Sequence, residues 1–244
     1  MDLQPVKGTR DFFPEQMRQR NWLFDVWRKV SLQSGFEEYD TCVLEHEELY
    51  IRKAGDEISQ QLYSFEDKAG RRLSLRPEMT PTVARMVAAR ERHYKKPIKW
   101  YSVPQLFRYE RQQKGRLREH FQFNADIFGE NDPAADAELI ALLIDVLRDF
   151  DLGAEDFVIR LSSRNAWQEF FATKCSDQSR AYDFYQTVDK LERAKPEESD
   201  EKFKALGFSL DEVRGFIDSG KPTHELQAVL DNLAARGLSD LSLI

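Results

Sequence analysis

Cysteine and histidine are scarce in these 244 residues, with two of the first and four of the second. Cys42 and Cys175 are too few for a disulfide framework, and the scattered histidines offer no metal-ligand spacing. Both thiols are expected to be reduced and packed, in a cytoplasmic protein without a structural metal. No apolar run approaches the ~18 residues of a membrane-spanning helix. Met1-Asp2-Leu3-Gln4-Pro5-Val6-Lys7 has neither an apolar signal core nor an Arg/Ser-rich presequence. Neither G-x-x-x-x-G-K-[ST] nor G-x-G-x-x-G occurs, which argues against a P-loop or Rossmann nucleotide site. An excess of positive charge is missing as well: the net charge of −7 argues against a general nucleic-acid binder.

What is present is enough apolar material for a core, 41% of the chain, and one local concentration of basic charge. Between positions 108 and 118 lie Arg108, Arg111, Lys114, Arg116 and Arg118, with Glu110 the only acid. Such a cluster inside an acidic chain suits a compact anion, such as a polyphosphate, better than a long phosphate backbone.

The pattern predicts a helix over Pro14 to Ser34, with Leu23, Val26, Trp27 and Val30 as its buried stripe and Gly35 after its end. Alternation over Tyr39, Thr41 and Val43 reads as a strand. Leu62–Phe65 and Leu73–Leu75 flank Asp67-Lys68-Ala69-Gly70 as a hairpin. Thr80, as cap, and Pro81 then open a helix that runs to about Tyr94. Strands follow at Ile98–Val103 and Leu106–Glu110, then a long strand over Glu119–Phe128. Asp132-Pro133 starts a helix with Leu139, Leu142, Leu143, Val146 and Leu147 on its apolar face, closed by Gly153. Phe157–Leu161 is predicted as a further strand. After Ser163 the chain becomes charged and helix-patterned, broken by Pro196, Gly207, Gly220 and Pro222. The expected architecture is α+β: a mainly antiparallel sheet flanked by helices over 1–163, and a small helical insertion domain over 164–244.

If a nucleotide binds here, the sheet and its arginines must hold it. Along Glu119–Phe128, Gln122, Asn124 and Asp126 share one face, and Phe121, Phe123, Ala125 and Ile127 the other. A half-solvated sheet has the same pattern. The preceding strand adds Arg108 and Glu110, so that Arg108, Glu110, Gln122 and Asp126 would form one polar floor. It offers a cation for phosphate or carboxylate and an acid for a substrate cation. Glu78, just ahead of a helix start, is either a compensator of the helix dipole or a carboxylate that holds an ammonium group.

Three segments carry a resemblance: Gly8-Thr9-Arg10-Asp11-Phe12-Phe13-Pro14, Arg76-Pro77-Glu78-Met79-Thr80, and the run from Phe107 through Arg108-Tyr109-Glu110-Arg111 to Gln122. Together, in order and spacing, they resemble the histidyl-tRNA synthetases, and the third resembles motif 2 of class II aminoacyl-tRNA synthetases. The resemblance covers Val6 to about Leu161. It implies a ligase that converts histidine and ATP to histidyl-adenylate and then charges tRNA(His), as a cytoplasmic homodimer with no membrane part. By the same resemblance, Arg108 bridges the ATP α-phosphate and the histidine carboxylate as the catalytic group. Glu110 lies near the adenine, and Arg116 meets the terminal phosphates. Glu78, Thr80 and Gln122 bind the α-ammonium, and Asp126 accepts from the imidazole. Magnesium is expected with ATP, its protein ligands unassigned.

Two departures from the family pattern stand out. Cys42 takes the place of a proline in the dimer-interface strand of motif 1. The sequence also stops at Ile244, ahead of the R-G-L-x-Y-Y-type segment, the motif 3 arginine and an anticodon-binding domain, so this chain alone is expected to be weakly active or inactive. A non-catalytic relative, the synthetase-like regulatory subunit of ATP phosphoribosyltransferase, is the competing reading. It has no need of the ATP-gripping arginines. A third reading is a binding module that holds tRNA or a partner chain without responding to ATP or histidine.

Overall fold

The structure, a computed structural model, describes residues 3–109, 115–219 and 223–238, and only the backbone of 53–58. The chain divides into two compact units, Met1–Ala135 with Leu139–Asp151, and Asp136–Glu138 with Leu152–Ile244.

In the first unit α1 (Pro14–Gln33) starts with proline in its first turn, where a missing N–H costs nothing, and ends at Ser34 before Gly35 at φ +76°. Its buried stripe is Phe24, Val26, Val30 and Ser31; Leu23 is exposed, contrary to expectation. The expected strand at Tyr39–Val43 is instead two short strands, β1 (Glu37–Glu38) and β2 (Leu44–His46), in different sheets. The alternation misled because the chain leaves one sheet and joins another within it. Next comes α2 (Glu47–Ser59), which the sequence reading did not anticipate.

The hairpin expectation holds as β3 (Tyr63–Glu66) and β4 (Arg72–Leu75), and with β2 they form an antiparallel sheet in the order β2-β4-β3. Asp67 closes the turn, accepting from the Ala69 and Arg71 N–H groups at 2.9 Å each. The helix α3 (Thr80–Arg90) ends before a 3-10 turn at Glu91–His93. Its cap position is Met79, with no side-chain cap; Thr80 is already helical, so the expected Thr80 cap is corrected.

Strand β5 (Ile98–Ser102) is the centre of the main sheet, paired in parallel with β1 and antiparallel with β8 (Asn124–Phe128). The long strand expected over Glu119–Phe128 is broken at Gln122–Phe123. Its first half, β7 (Glu119–Phe121), pairs instead with β6 (Gln105–Phe107). Two partners in two sheets force the break, and the Gln122 N–H turns to the Pro104 carbonyl at 3.2 Å.

Apolar clusters cover both faces of the main sheet. On one, Val26, Val30, Phe36, Tyr101, Leu142 and Val146 join Phe123, Ala125 and Ile127, so α1 and α4 (Ala134–Asp149) lie there. On the other, Tyr39, Ile98, Trp100 and Leu106 pack with Met79 and Val83 of the α3 segment. Cluster burial of this kind supplies the main stabilisation, at roughly 25 cal/mol per Å² of apolar surface.

The second unit is helical: α5 (Arg164–Ala172), α6 (Ala181–Asp189), α7 (Pro196–Ala205), α8 (Leu210–Asp218) and α9 (His224–Ala235). Its core is aromatic, built on Phe171, Phe184, Phe203 and Phe208, with Cys175 buried beside them. Cys42 in the first unit is exposed, not packed as expected. The predicted strand at Phe157–Leu161 is absent; only a single bridge position occurs, at Ile159. The two units part between Asp151 and Leu152, ahead of the 163/164 boundary read from the sequence. The side chains explain why: Trp167 Nε1 donates to Ser162 Oγ at 3.1 Å, and Asn165 Nδ2 to Glu225 at 2.9 Å, so the residues before α5 are bonded into the helical unit. Among the described residues no helix is long and apolar enough to cross a membrane.

Candidate active site

The segment between β4 and α3 is anchored by Arg76, whose side chain is only 4% exposed. Its Nη1 donates to Asp40 Oδ1 at 2.6 Å and to the Thr41 carbonyl at 2.8 Å; its Nε donates to the Gln105 carbonyl at 3.0 Å. The Phe107 N–H in turn donates to the Arg76 carbonyl at 2.9 Å. One guanidinium thus locks the turn that carries Glu78 to β6, the strand that leads into Arg108. A rigid fork of five donors makes this possible, where an ammonium could not reach all three acceptors.

Arg108 follows directly. Its backbone N–H donates to the Arg118 carbonyl at 2.9 Å, continuing the β6–β7 ladder, and its Nε donates to the Pro77 carbonyl at 3.0 Å. The guanidinium is therefore held against the residue before Glu78. These two sequence-selected residues are brought together. Glu78 is half-buried, and Thr80 is exposed in the first turn of α3. Arg118 stacks over the Tyr109 ring at 4.0 Å, and Tyr109 packs edge-on to Tyr63 at 5.2 Å, giving the base of the basic loop a fixed aromatic support. Arg116 is exposed just after Gly115, which takes φ +83°. Glu110 lies outside the described residues.

Asp126 is half-buried on β8, opposite Trp100 in the register. Pleating puts Asn124 and Asp126 on the face of the sheet that meets α3, while Ala125 and Ile127 join the opposite apolar cluster. The division of faces read from the sequence holds for these residues. Gln122, in the break between β7 and β8, is exposed, and no hydrogen bond among the described residues links it to Asp126 or Arg108. Burial pushes the Asp126 carboxyl above the usual carboxylate range, and a nearby Tyr39 hydroxyl opposes the shift. No ion pair to Asp126 occurs among the described residues.

Two residues at this face escaped the sequence reading. Tyr39 and Ser102 are buried, and neither hydroxyl has a hydrogen-bond partner. Burial pushes the Tyr39 phenol up to about 12; Ser102 lowers it, while Asp126 and Asp40 raise it further. The two hydroxyls and the carboxylate are thus neighbours that stop short of closed hydrogen-bond geometry. The antiparallel pairing of β5 with β8 puts Ser102 and Asp126 on one face, and the parallel pairing of β1 with β5 brings Tyr39 to them, a pairing that local pattern does not reveal. Among the described residues, no three His, Cys, Asp or Glu side chains gather as a metal site.

Residues 8–235 match the family model described as histidyl-tRNA synthetase. The chain belongs to the histidyl-tRNA synthetase family. Similar proteins include the histidine–tRNA ligase of Opitutus terrae, 49% identical over 82% of this chain and 45% of that protein. The chloroplastic/mitochondrial histidine–tRNA ligase of Arabidopsis thaliana is 39% identical over 99% of this chain and 50% of its own length. The chain spans about half the length of these curated relatives. Among solved structures, a histidyl-tRNA synthetase from Nostoc sp. PCC 7120 superposes with a TM-score of 0.82 at 19% identity, over all of this chain and 61% of that one. An ATP phosphoribosyltransferase regulatory subunit/histidyl-tRNA synthetase from Bacillus halodurans C superposes at 0.79 with 22% identity, over 99% of this chain and 68% of that one. These likenesses establish the α+β, class II synthetase-like fold.

Proposed function

We propose that the sheet-bearing unit of this family member binds ATP and histidine for a histidine–tRNA ligase reaction, with the helical unit as its insertion domain. In that reaction a carboxylate oxygen of histidine attacks the α-phosphorus of ATP. The bond to pyrophosphate breaks, and histidyl-adenylate forms. The histidyl group then passes to the 3′ end of tRNA(His), releasing AMP. The observation that carries this reading is Asp126: a half-buried carboxylate with no cation beside it among the described residues, on the sheet face that meets the Glu78–α3 segment. Such a group favours a ligand with an N–H or a positive charge, and imidazole supplies both.

Arg108, held against Pro77, is the cation for the α-phosphate and the substrate carboxylate; its work is positioning and charge stabilisation, without a side-chain nucleophile. Glu78, Thr80 and Gln122 bind the α-ammonium, while Glu110 and Arg116 serve the adenine and terminal phosphates. Magnesium would arrive with the phosphates of ATP and supply further charge neutralisation there. The described residues gather no carboxylate cluster to hold it, so no protein ligand is assigned. A homodimer, tRNA(His) as partner and a cytoplasmic location belong to the same proposal, supported by family membership.

The test is calorimetric titration of this chain with each amino acid, with and without ATP and magnesium. Histidine binding strengthened by ATP supports the reading. Histidine binding indifferent to ATP favours the regulatory relative, and tRNA binding without either ligand favours the binding module. Asp126→Ala is expected to weaken histidine far more than ATP; equal losses would remove Asp126 from recognition.

A further inference from the structure

Tyr39 is set by the main sheet, not by its own strand. The register pairs Glu37 with Trp100 and Glu38 with Tyr101 in parallel, and the Tyr39 N–H donates to the Tyr101 carbonyl at 2.9 Å. The next step brings Tyr39 level with Ser102. Alternation along β5 puts Trp100 and Ser102 on one face, and their β8 partners Asp126 and Asn124 share it. The Tyr39 ring lies 5.6 Å from that of Trp100, which fixes where its hydroxyl can go.

Tyr39 is 8% exposed and Ser102 1%, and both hydroxyls are without a partner. Buried hydroxyls are costly unless bonded, so two of them beside a carboxylate mark an arrangement completed by a small movement or by a ligand. Resting on the histidine reading of the site, the geometry points to Tyr39 as a positioning residue: its hydroxyl donates to one oxygen of Asp126, with Ser102 beside it, and so fixes the other oxygen as acceptor for the substrate side chain. A carboxylate has about four lone-pair positions, so one phenol leaves room for an imidazole N–H.

The surrounding charges are accounted for. Asp40 is paired with Arg76 at 2.6 Å. From α3 and its cap position the face receives Met79, Val83, Met86 and Val87, all apolar, while Arg85 on that helix is paired with Glu45 at 2.7 Å; beyond the helix, the Tyr94 phenol ring packs edge-on to Trp100 at 5.0 Å. Glu78 precedes the helix, and β5 contributes Ser102. The Tyr39 hydroxyl is thus the group that opposes the upward push of burial on Asp126. Its removal leaves the carboxyl protonated to a higher pH, and histidine binding is then lost at a higher pH as acid is added.

The experiment uses the whole chain with carboxyl-labelled aspartate. Asp126, assigned from its loss in Asp126→Asn, is titrated by NMR in the wild type and in Tyr39→Phe, and histidine and ATP binding are measured from about pH 5 to 8. Expected are an upward move of the Asp126 midpoint, about tenfold weaker histidine binding in the acid half of the range, and unchanged ATP binding. Ser102→Ala is expected to change less. A midpoint that stays put overturns the proposal, as does a loss of ATP binding equal to that of histidine. If Tyr39→Phe does not fold, the reciprocal measurement decides: the Tyr39 ring-carbon resonance moves in Asp126→Asn if the two groups are bonded and stays if they are not. If the wild type binds no histidine while the Asp126 midpoint still moves, it is the histidine reading that fails, and the pairing of the two side chains stands.

Discussion

The backbone N–H of Arg10 donates to Glu119 Oε1 at 2.8 Å, and the other oxygen of the same carboxylate accepts from Gln105 Nε2 at 2.8 Å. Glu119 is 8% exposed. With the Arg118 N–H donating to the Gly8 carbonyl at 2.8 Å, this ties the Gly8–Arg10 segment to the β6–β7 hairpin that carries Arg108. Segments distant in sequence that share the family resemblance therefore meet in space.

Glu119→Ala removes a buried acceptor shared by two donors in part-buried hydrogen bonds. A cost of about 2 kcal/mol is expected, or a Tm lower by ~4–8 °C. Since the hairpin presents Arg108, ATP affinity should fall as well. A thermal melt with an ATP titration checks both, and an unchanged melt would show the N-terminal segment to be a passive neighbour.

Arg76 separates burial from charge. Its partner Asp40 is 69% exposed, so its carboxylate rehydrates when the pair is broken. Asp40→Asn should cost under about 1 kcal/mol. Arg76→Ala strands the Thr41 and Gln105 carbonyls and opens space in the packing, with an expected loss of roughly 2–4 kcal/mol. Arg76→Lys should recover little of this, because an ammonium cannot span the three acceptors. Denaturant unfolding of the three variants gives the order directly.

Much of this was legible because local pattern suffices for it. The opposition of Asn124 and Asp126 to Ala125 and Ile127 is pure alternation. The hairpin around Asp67 is turn chemistry, and the basic loop is a composition signal. Other features were not. Where Tyr39 lies depends on a parallel pairing with β5, 61 residues on from β1 at the Glu37–Ile98 separation, and no short window contains it. The break at Gln122 has the same origin, since nothing in Glu119–Phe128 says that its halves pair with different strands. Helix α2 was missed although its Tyr50 is fully buried and within 3.1 Å of Thr82 on α3, a contact visible only after folding.

Asp126→Asn should have opposite effects on stability and on binding. The folded-state carboxyl is raised by burial, so the folded chain holds a proton more tightly than the unfolded chain does. Between the ordinary aspartate value and the raised one, stability falls as pH rises, and above that window the cost of the buried charge is fully present. Asn carries no charge to bury. The variant is expected to match the wild type in acid and to be the more stable at neutral pH, while its histidine affinity drops about tenfold or more. Melts across pH, set beside calorimetry with histidine, check the sign; a variant less stable at every pH would show that the carboxylate is satisfied in the unliganded protein.

In the helical unit the expected weak point is Phe184, which is fully buried. Its ring lies 5.2 Å from that of Phe171 on α5, 5.6 Å from Phe203 on α7 and 5.0 Å from Phe208 between α7 and α8, so two other helices and the connection that follows the second meet on it. Phe184→Ala leaves a cavity that this rigid aromatic set cannot readily collapse into, and should cost about 3–5 kcal/mol. Phe184→Leu keeps most of the volume and should cost less than half as much. Tyr182 on the same helix is 66% exposed, and Tyr182→Ala should stay within ~0.5 kcal/mol of the wild type. Amide exchange read in α5, α6 and α7 distinguishes these cases: accelerated exchange in all three for Phe184→Ala and none for Tyr182→Ala identifies a single cooperative core, whereas faster exchange confined to α6 would mean that the helices hold their structure independently.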